Sequence, residues 1–282
     1  MDIFSFELHY FSNTKTLSSM TNYICTTCGV QYETGTTPPL HCPICEDDRQ
    51  YVNPGGQSWT SLKEVAKQHR NIIEKISPDL YAIYTAPKFG IGQRAFLVIS
   101  PGGNVLWDCI TLLDPSTIDI IEKLGGIKAI VLSHPHYFST IVEWSETFQA
   151  DIYVHAEDAG WLGRKNDKLR LWEGDIEPLW DQIKIVRCGG HFPGACILHW
   201  PVGDGTLLVG DTIQVSPNLT TVSFMYSYPN NIPLPKKDIL AIAFAVNLLQ
   251  YNVMHGAFGL SIRENAAAVM ERSVQRYLQI YQ

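Results

Sequence analysis

The chain has 282 residues, of which 45% are hydrophobic and 17% charged, which is enough for one sizeable core and a small appendage. The formal net charge is -7, and this acidic balance argues against nucleic acid or an anionic membrane as the main partner, because both require a basic face. The longest nearly apolar run, residues 239–249, is too short to span a bilayer. Residues 1–20 form a polar and aromatic extension without the basic start of a secretory signal, so we expect a cytoplasmic protein.

The first recognisable unit is a four-cysteine module, predicted over residues 21–57. It contains two CxxC pairs, Cys25 with Cys28 and Cys42 with Cys45, separated by a short loop. Four thiolates on two such turns suit tetrahedral Zn²⁺, so we predict a zinc-ribbon-like site. The CPIC form of the second pair is also similar to rubredoxin, which keeps iron as an alternative. The odd total of seven cysteines argues against a disulfide framework.

The role predicted for this zinc is structural, because so small a segment cannot bury enough apolar surface without a metal. After the module, Ser61 and Glu64 form a capping-box pattern, and apolar residues follow at helical spacing. The sequence therefore predicts an amphipathic helix over residues 60–77, within a connector of residues 58–79. The main domain is predicted to occupy residues 80–282.

In the main domain the predicted strands alternate with helices. Strands are predicted over residues 80–85, 94–99, 104–109, 127–133, 151–155, 183–186, 195–200, 206–209 and 251–254. Helices are predicted over residues 117–124, 141–148 and 236–250, with a last helix capped by Ser261 and Glu264. The 236–250 helix is apolar nearly all round, which predicts that it is buried. This alternation, opened by a hairpin, indicates a layered α/β or α+β domain.

Five potential metal ligands lie where predicted strands give way to loops. Side chains at such positions leave the packed core but stay on a rigid support. Histidine nitrogens with one carboxylate match Zn²⁺ or Fe²⁺. A single histidine of this kind is more often a core or surface residue, but four histidines and one aspartate in this order indicate a metal site. The five residues are His134, His136, His191, Asp211 and His255.

These motifs resemble the metallo-β-lactamase fold superfamily over about residues 80–282. The matching segments are 106–108 (LWD), 134–136 (HPH), 190–194 (GHFPG), 210–212 (GDT) and 254–256 (MHG). The resemblance implies a four-layer αββα sandwich with its metal site at one edge between the two sheets. It also implies that His134, His136 and His191 bind the first metal, that Asp211 bridges, and that His255 belongs to a second metal. Asp108 is implied to be a buried structural aspartate.

One departure from the family pattern changes the expected metal count. The family has HxHxDH, whereas this chain has Phe138 in place of the aspartate and Ser139 in place of the next histidine. Phenylalanine cannot bind a metal, and a serine hydroxyl is a weak neutral ligand. We therefore predict a single metal, held by the three histidines with Asp211, and a second-shell, substrate-facing or weak ligand role for His255.

Three functions fit a single metal in this setting. The leading hypothesis is a zinc hydrolase in which metal-activated water attacks an ester, thioester, lactone or amide, with Asp211, His255 and Tyr137 as candidate catalytic residues. The first alternative is a mononuclear non-haem iron oxygenase on the same fold, because two histidines and a carboxylate are the set used with Fe²⁺ and O₂. The second is a degenerate metal-binding module without activity.

The expected partner is a small molecule, with no role for nucleic acid or a membrane, and the oligomeric state is not specified. Aromatic residues near the metal motifs are predicted to wall the pocket for a substrate with apolar or aromatic character. They are Trp161, Trp172, Tyr226, Tyr228 and the loop of residues 229–233.

Overall fold

A computed structural model describes residues 20–281, so all but the last residue of the 1–20 extension lies outside the described chain. The four-cysteine module is a small three-stranded sheet in the order β2-β1-β3 with one short helix beside it. Its elements are β1 (Thr21–Cys25), β2 (Gln31–Gly35), α1 (Pro43–Glu46) and β3 (Trp59–Thr60). Because β3 pairs with β1, the sheet of the module extends to residue 60, beyond the predicted bounds of 21–57. The second cysteine pair lies on the short helical turn α1. Proline suits the first position of a helix, because the backbone N–H that it lacks would have no partner within the helix there.

The predicted helix over residues 60–77 is wrong after its second turn. Helix α2 (Leu62–Gln68) begins at Ser61, whose hydroxyl accepts the N–H of Glu64 as the capping pattern predicts. The next segment is instead a strand, β4 (Arg70–Ser77), paired antiparallel with β5 (Leu80–Ala86). The isoleucines of this segment have helical spacing, but β-branched side chains favour a strand when a partner strand is available.

The first large sheet has seven strands in the order β10-β9-β8-β7-β6-β5-β4. Strands β4 to β7 are antiparallel and β7 to β10 are parallel. Two helices and two 3-10 turns, Pro135–Tyr137 and Ala156–Trp161, connect the parallel strands. The further elements are β6 (Ala95–Val98), β7 (Val105–Trp107), α3 (Pro115–Lys123), β8 (Ala129–Val131), α4 (Ile141–Phe148), β9 (Asp151–His155) and β10 (Leu169–Trp172).

The second large sheet has six strands in the order β11-β12-β13-β14-β19-β20, with two small hairpins inserted before β19. Its strands and the hairpins are β11 (Ile176–Pro178), β12 (Lys184–Arg187), β13 (Cys196–Trp200), β14 (Thr206–Leu208), β15 (Gln214–Val215), β16 (Val222–Ser223), β17 (Met225–Ser227), β18 (Ile232–Pro233), β19 (Val253–His255) and β20 (Ser261–Ile262). Helices α5 (Lys236–Asn247) and α6 (Ala266–Ile280) follow the hairpins and the sheet.

The alternation of side chains along the strands produces the layers. In β7, Val105 and Trp107 face a core that both sheets share, whereas Leu106 faces the core under α3 and α4. In β13, Leu198 faces the shared core and Ile197 faces the core under α5 and α6. Two sheets packed face to face with a helix layer outside each confirm the predicted αββα sandwich.

The prediction of a buried 236–250 helix holds for only one face of α5. Ile239, Ile242 and Val246 are buried against the second sheet, but Phe244 is 70% exposed. A helix that covers a sheet has one side away from it, and an apolar composition alone does not bury that side. The last helix begins after Asn265, because Ser261 is already part of β20.

The module packs directly on the main domain. Its four cysteines belong to the same buried cluster as Phe138 and Trp144, on the helix side of the first sheet. The N–H of Gln31 donates to the Ser139 carbonyl at 2.9 Å, and Thr111 donates to the Gly29 carbonyl at 3.0 Å. Within residues 20–281, the helices are too short or too polar to cross a membrane.

Candidate metal centre

The predicted ligands come from both large sheets and meet at the edge between them. His134 and His136 follow β8 of the first sheet, in a turn that begins with Pro135. His191 follows β12 and Asp211 follows β14, both in the second sheet. The ends of strands in the two sheets thus bring together residues that are up to 77 positions apart in the chain.

Four donor atoms of these residues surround one point. Asp211 Oδ2 lies 3.5 Å from His134 Nε2 and 3.9 Å from both His136 Nδ1 and His191 Nε2. His191 Nε2 and His136 Nδ1 are 3.4 Å apart. Donors placed 2.0–2.1 Å from a tetrahedral zinc are separated by about 3.4 Å, so the observed spacings fit one such ion.

The chemical state of the donors also fits a cation. Burial lowers the pKa of His134 to about 4 and that of His191 well below its usual value, which keeps both rings neutral. Burial alone would raise the pKa of Asp211, but the adjacent His134 and His136 rings lower it and favour the carboxylate. In the described part of the chain, His134 Nε2 and Asp211 Oδ1 are buried without a hydrogen-bond partner, an arrangement that a bound metal and its ligands would explain.

The other nitrogens of two ligand rings are held by the protein. His134 Nδ1 lies 2.8 Å from Ser133 Oγ, and His191 Nδ1 lies 3.2 Å from the Met225 carbonyl. Such contacts orient a ligand ring and select its tautomer. Gly210, at φ 51°, leaves room for Ser133, whose Oγ would be only 2.6 Å from a Cβ added there. The glycine therefore allows the Asp211 loop to approach the histidine loop.

Asp108 supports the loop that carries His134 and His136. It is buried, as the resemblance implied, and its Oδ1 accepts the N–H of Ser133 at 2.7 Å. Burial raises the pKa of this carboxyl well above its usual value. The residue adopts φ 61°, a conformation that aspartate tolerates better than most residues.

The residues expected at a second metal do not join the donor cluster. His255 is buried, with Nδ1 2.8 Å from Ser261 Oγ, and lies outside the group of four. Phe138 packs in the core, and the Ser139 hydroxyl donates to the Cys109 carbonyl at 3.2 Å. Gln31, Phe138 and Ser139 line one small crevice, so the two departures from the family pattern lie where the module docks.

Tyr137, a candidate catalytic residue, is fully buried. Its ring packs 5.2 Å from the His134 ring, centre to centre, and it does not line the cavity at the metal site. Burial raises the pKa of its hydroxyl well above the usual value, so the hydroxyl stays protonated. Tyr137 therefore lies in the position of a packed aromatic residue beside His134.

A cavity of about 300 Å³ opens onto His136 and Asp211. Two of the predicted wall residues, Tyr228 and Pro229, line it. Trp161 instead packs against Phe192 and Trp172 against His155. Tyr226 contacts Arg49.

Sequence reasoning missed most of this cavity. The residues missed are Arg49, Gln50 and Tyr51, which follow the second cysteine pair, and Lys88, Gly90, Ile91 and Phe258. No motif or periodicity marks these residues, because the module and the loop after β5 meet only in the folded chain.

The four cysteines converge as predicted. Cys25 Sγ lies 3.6 Å from Cys45 Sγ, and Cys28 Sγ lies 3.6 Å from Cys42 Sγ, with all four sulfurs within 4.8 Å of one another. Thiolates 2.3 Å from a tetrahedral zinc are separated by about 3.8 Å, so the set fits one ion, and the sulfurs are too far apart for disulfides. Gln57 Nε2 donates to Cys25 Sγ and Tyr32 contacts Cys42 Sγ, both at 3.1 Å.

Asp158 supports the loop that carries His191 and makes stability depend on pH. Its Oδ1 accepts the N–H of Gly194 at 2.9 Å, and burial raises the pKa of this carboxyl from 3.8 to about 6. Because the folded state holds the proton more tightly than the unfolded chain, stability falls by about 2–3 kcal/mol as the pH rises from 4 to 6. We expect Asp158→Asn to remove this fall while keeping an acceptor for Gly194.

The check is urea unfolding of the zinc-loaded protein and variant between pH 4 and 7. The difference in unfolding free energy between them should grow in favour of the variant up to pH 6 and then level off. A difference that is constant over this range would contradict the assigned role of Asp158.

Comparison with known proteins agrees with this geometry. The family model described as "Metallo-beta-lactamase superfamily" matches residues 90–241. The Bacillus subtilis (strain 168) protein named "Uncharacterized protein YmaE" is 48% identical over 264 residues, covering 92% of this chain and 96% of that protein.

Solved structures show the same fold at low identity. The DIM-1 metallo-beta-lactamase superposes with a TM-score of 0.57 at 15% identity, covering 75% of this chain and 98% of that one. VMB-1 gives 0.58 at 14% identity, covering 76% and 99%. FIM-1 from Pseudomonas aeruginosa, in its mono-zinc form, gives 0.54 at 15% identity, covering 73% and 96%.

Proposed function

The chain belongs to the metallo-β-lactamase superfamily, and we propose that it is a hydrolase with a single zinc in the histidine site. The observation that carries this proposal is the cluster of four buried donors, three histidine nitrogens and one carboxylate oxygen, around one point at the inner end of a cavity. When bound, zinc lowers the pKa of a coordinated water and polarises a carbonyl.

A single ion in this site is supported by what surrounds the four donors. A second metal needs further ligands, but Phe138 offers none and the Ser139 hydroxyl is engaged with the Cys109 carbonyl. His255 lies outside the donor cluster. That a member of this fold can be isolated with one zinc is stated for FIM-1, whose mono-zinc form superposes on this chain.

The residues around the ion have separate roles in the proposal. His134, His136 and His191 hold it, with the first and last of these rings oriented by Ser133 and the Met225 carbonyl. Asp211 lines the cavity and contributes Oδ2 to the donor cluster. Four protein donors would fill a tetrahedral shell, whereas catalytic zinc keeps one position open. Asp211 would be the ligand to give up its place, and its Oδ1, which has no partner within residues 20–281, would accept a proton from water.

The reacting bond is an ester, thioester, lactone or amide, because these have the carbonyl that this site can polarise. The iron oxygenase alternative has less support, because a facial site for O₂ uses two histidines and one carboxylate and leaves three positions open. Here a third histidine, His191, lies 3.9 Å from Asp211 Oδ2 and takes one of those positions.

The test is metal analysis of the full chain made without added metal, followed by turnover assays. We expect about two zinc per chain, one for each site, and hydrolysis of at least one of 4-nitrophenyl acetate, an acyl thioester and an aromatic lactone. Iron in the histidine site with O₂ uptake would establish the oxygenase instead. A chain with two zinc that hydrolyses none of them would favour the binding-module alternative.

A further inference from the structure

The cavity at the metal has an inner and an outer part with different chemistry. His136 and Asp211 lie at the inner end, where the donor cluster is. Tyr51, Phe258 and Lys88 also line the cavity and, because they are exposed, form its outer part. Tyr51 is 44% exposed and Phe258 39% exposed, so both rings present apolar surface to a ligand.

The side that contains Tyr51 is fixed by contacts between the module and the main domain. Asn230 Nδ2 donates to the carbonyls of Asp48 and Gln50, at 2.8 and 3.2 Å. Arg49 stacks over Phe192 and Tyr226, with its guanidinium carbon 4.3 and 4.7 Å from the ring centres. Residues 48–51 are therefore held as a wall of the cavity, although they belong to the four-cysteine module.

Lys88 provides an unpaired positive charge at this outer part. The other cation, Arg49, has its Nη1 2.9 Å from both carboxylate oxygens of Asp47, which balance its charge. Lys88 has no hydrogen bond or ion pair within residues 20–281. Its side chain lies over Gly92, where an added Cβ would come within 2.6 Å of it.

We infer that the four-cysteine module completes the substrate site, and that this outer subsite takes an aromatic or apolar group with a negative charge, held between Tyr51 and Phe258 and paired with Lys88. The inference rests on the proposed function for the position of the reacting carbonyl at the metal. It narrows the substrate class to anionic aromatic or apolar acyl compounds.

The test uses three zinc-binding probes that need no turnover: acetohydroxamate, benzohydroxamate and 4-carboxybenzohydroxamate. All three bind through the same group, so the ratios of their dissociation constants measure the ring and the carboxylate separately. Calorimetric titration of the zinc-loaded full chain should show the affinity rising along this series. We expect Tyr51→Ala to lower the affinity of benzohydroxamate relative to acetohydroxamate about three- to tenfold. Lys88→Met should lower the affinity of 4-carboxybenzohydroxamate relative to benzohydroxamate about two- to fivefold, and added salt should have the same effect.

Val52→Ala and Lys63→Met are the matched controls, because neither residue lines the cavity. Both should leave the ratios unchanged, and metal analysis should find two zinc in every variant. If Tyr51→Ala and Lys88→Met leave both ratios at their original values, the subsite is refuted. Altered ratios in a chain without hydrolytic activity would support the subsite and overturn only the proposed function.

Discussion

Replacement of His134 by alanine should remove the zinc from the histidine site and lower hydrolysis at least about 10³-fold. The donor atom lost, Nε2, is buried 3.5 Å from Asp211 Oδ2 and has no hydrogen-bond partner among residues 20–281. A catalytic metal contributes several kcal/mol to the transition state, and each 1.4 kcal/mol is a factor of ten in rate. Metal analysis should therefore find one zinc per chain, in the cysteine site.

His255→Ala is the control that separates one metal from two. His255 is also a buried histidine at a strand end, but its Nδ1 is engaged with Ser261 and it lies outside the donor cluster. We expect this variant to keep both zinc ions and to lose no more than about 10–100-fold in rate, the range for a residue outside the ligands. Loss of a metal from His255→Ala, or three metals in the unchanged protein, would contradict a single-metal centre.

Replacement of Cys28 by serine should cost the chain its other zinc and disorder the module. The four cysteines are buried and no disulfide joins them, so the zinc predicted there would be the cross-link of this segment. Structural zinc contributes about 10–16 kcal/mol to the folding of comparable segments. Arg49, whose side chain is only 14% exposed in the folded chain, should become a fast site of tryptic cleavage.

The same variant should weaken ligand binding at the histidine site without removing its zinc. Residues 49–51 form one side of the cavity, so their disorder removes that wall. Benzohydroxamate should bind several-fold more weakly, while acetohydroxamate, which contacts little beyond the metal, should change less. Cys188→Ser is the matched control, because Cys188 is buried in the main domain away from the module. Two zinc and trypsin resistance in Cys28→Ser would disprove the structural role.

The module and the altered histidine motif are parts of one structural feature. Ser139 accepts a hydrogen bond from Gln31 of the module, and Phe138 packs in the cluster that contains the four cysteines. The positions that would serve a second metal therefore support the docked module. This gives a physical reason why the chain has HxHxFS, since a polar aspartate in place of Phe138 would be buried in an apolar cluster.

The sequence by itself was sufficient for the sandwich and for the members of the two donor clusters, the four cysteines and the three histidines with Asp211. Each of these depends on local information, because strand periodicity places a residue at a strand end and CxxC spacing places two thiolates on one turn. Tertiary structure decided the rest. Arg70–Ser77 became a strand because β5 offered it a partner, and Phe244 stayed exposed because the sheet covers only one face of its helix.

The separation of His255 from the other ligands also needed the folded chain, because its pattern in the sequence is the same as theirs. The wall formed by residues 49–51 is the clearest example of a feature that depends on the folded chain. Those residues lie 160 positions or more from Asp211 in the chain, and no local preference places them beside it. Only the packing of the module against the main domain, through contacts such as that of Arg49 with Phe192, brings them to the donor cluster.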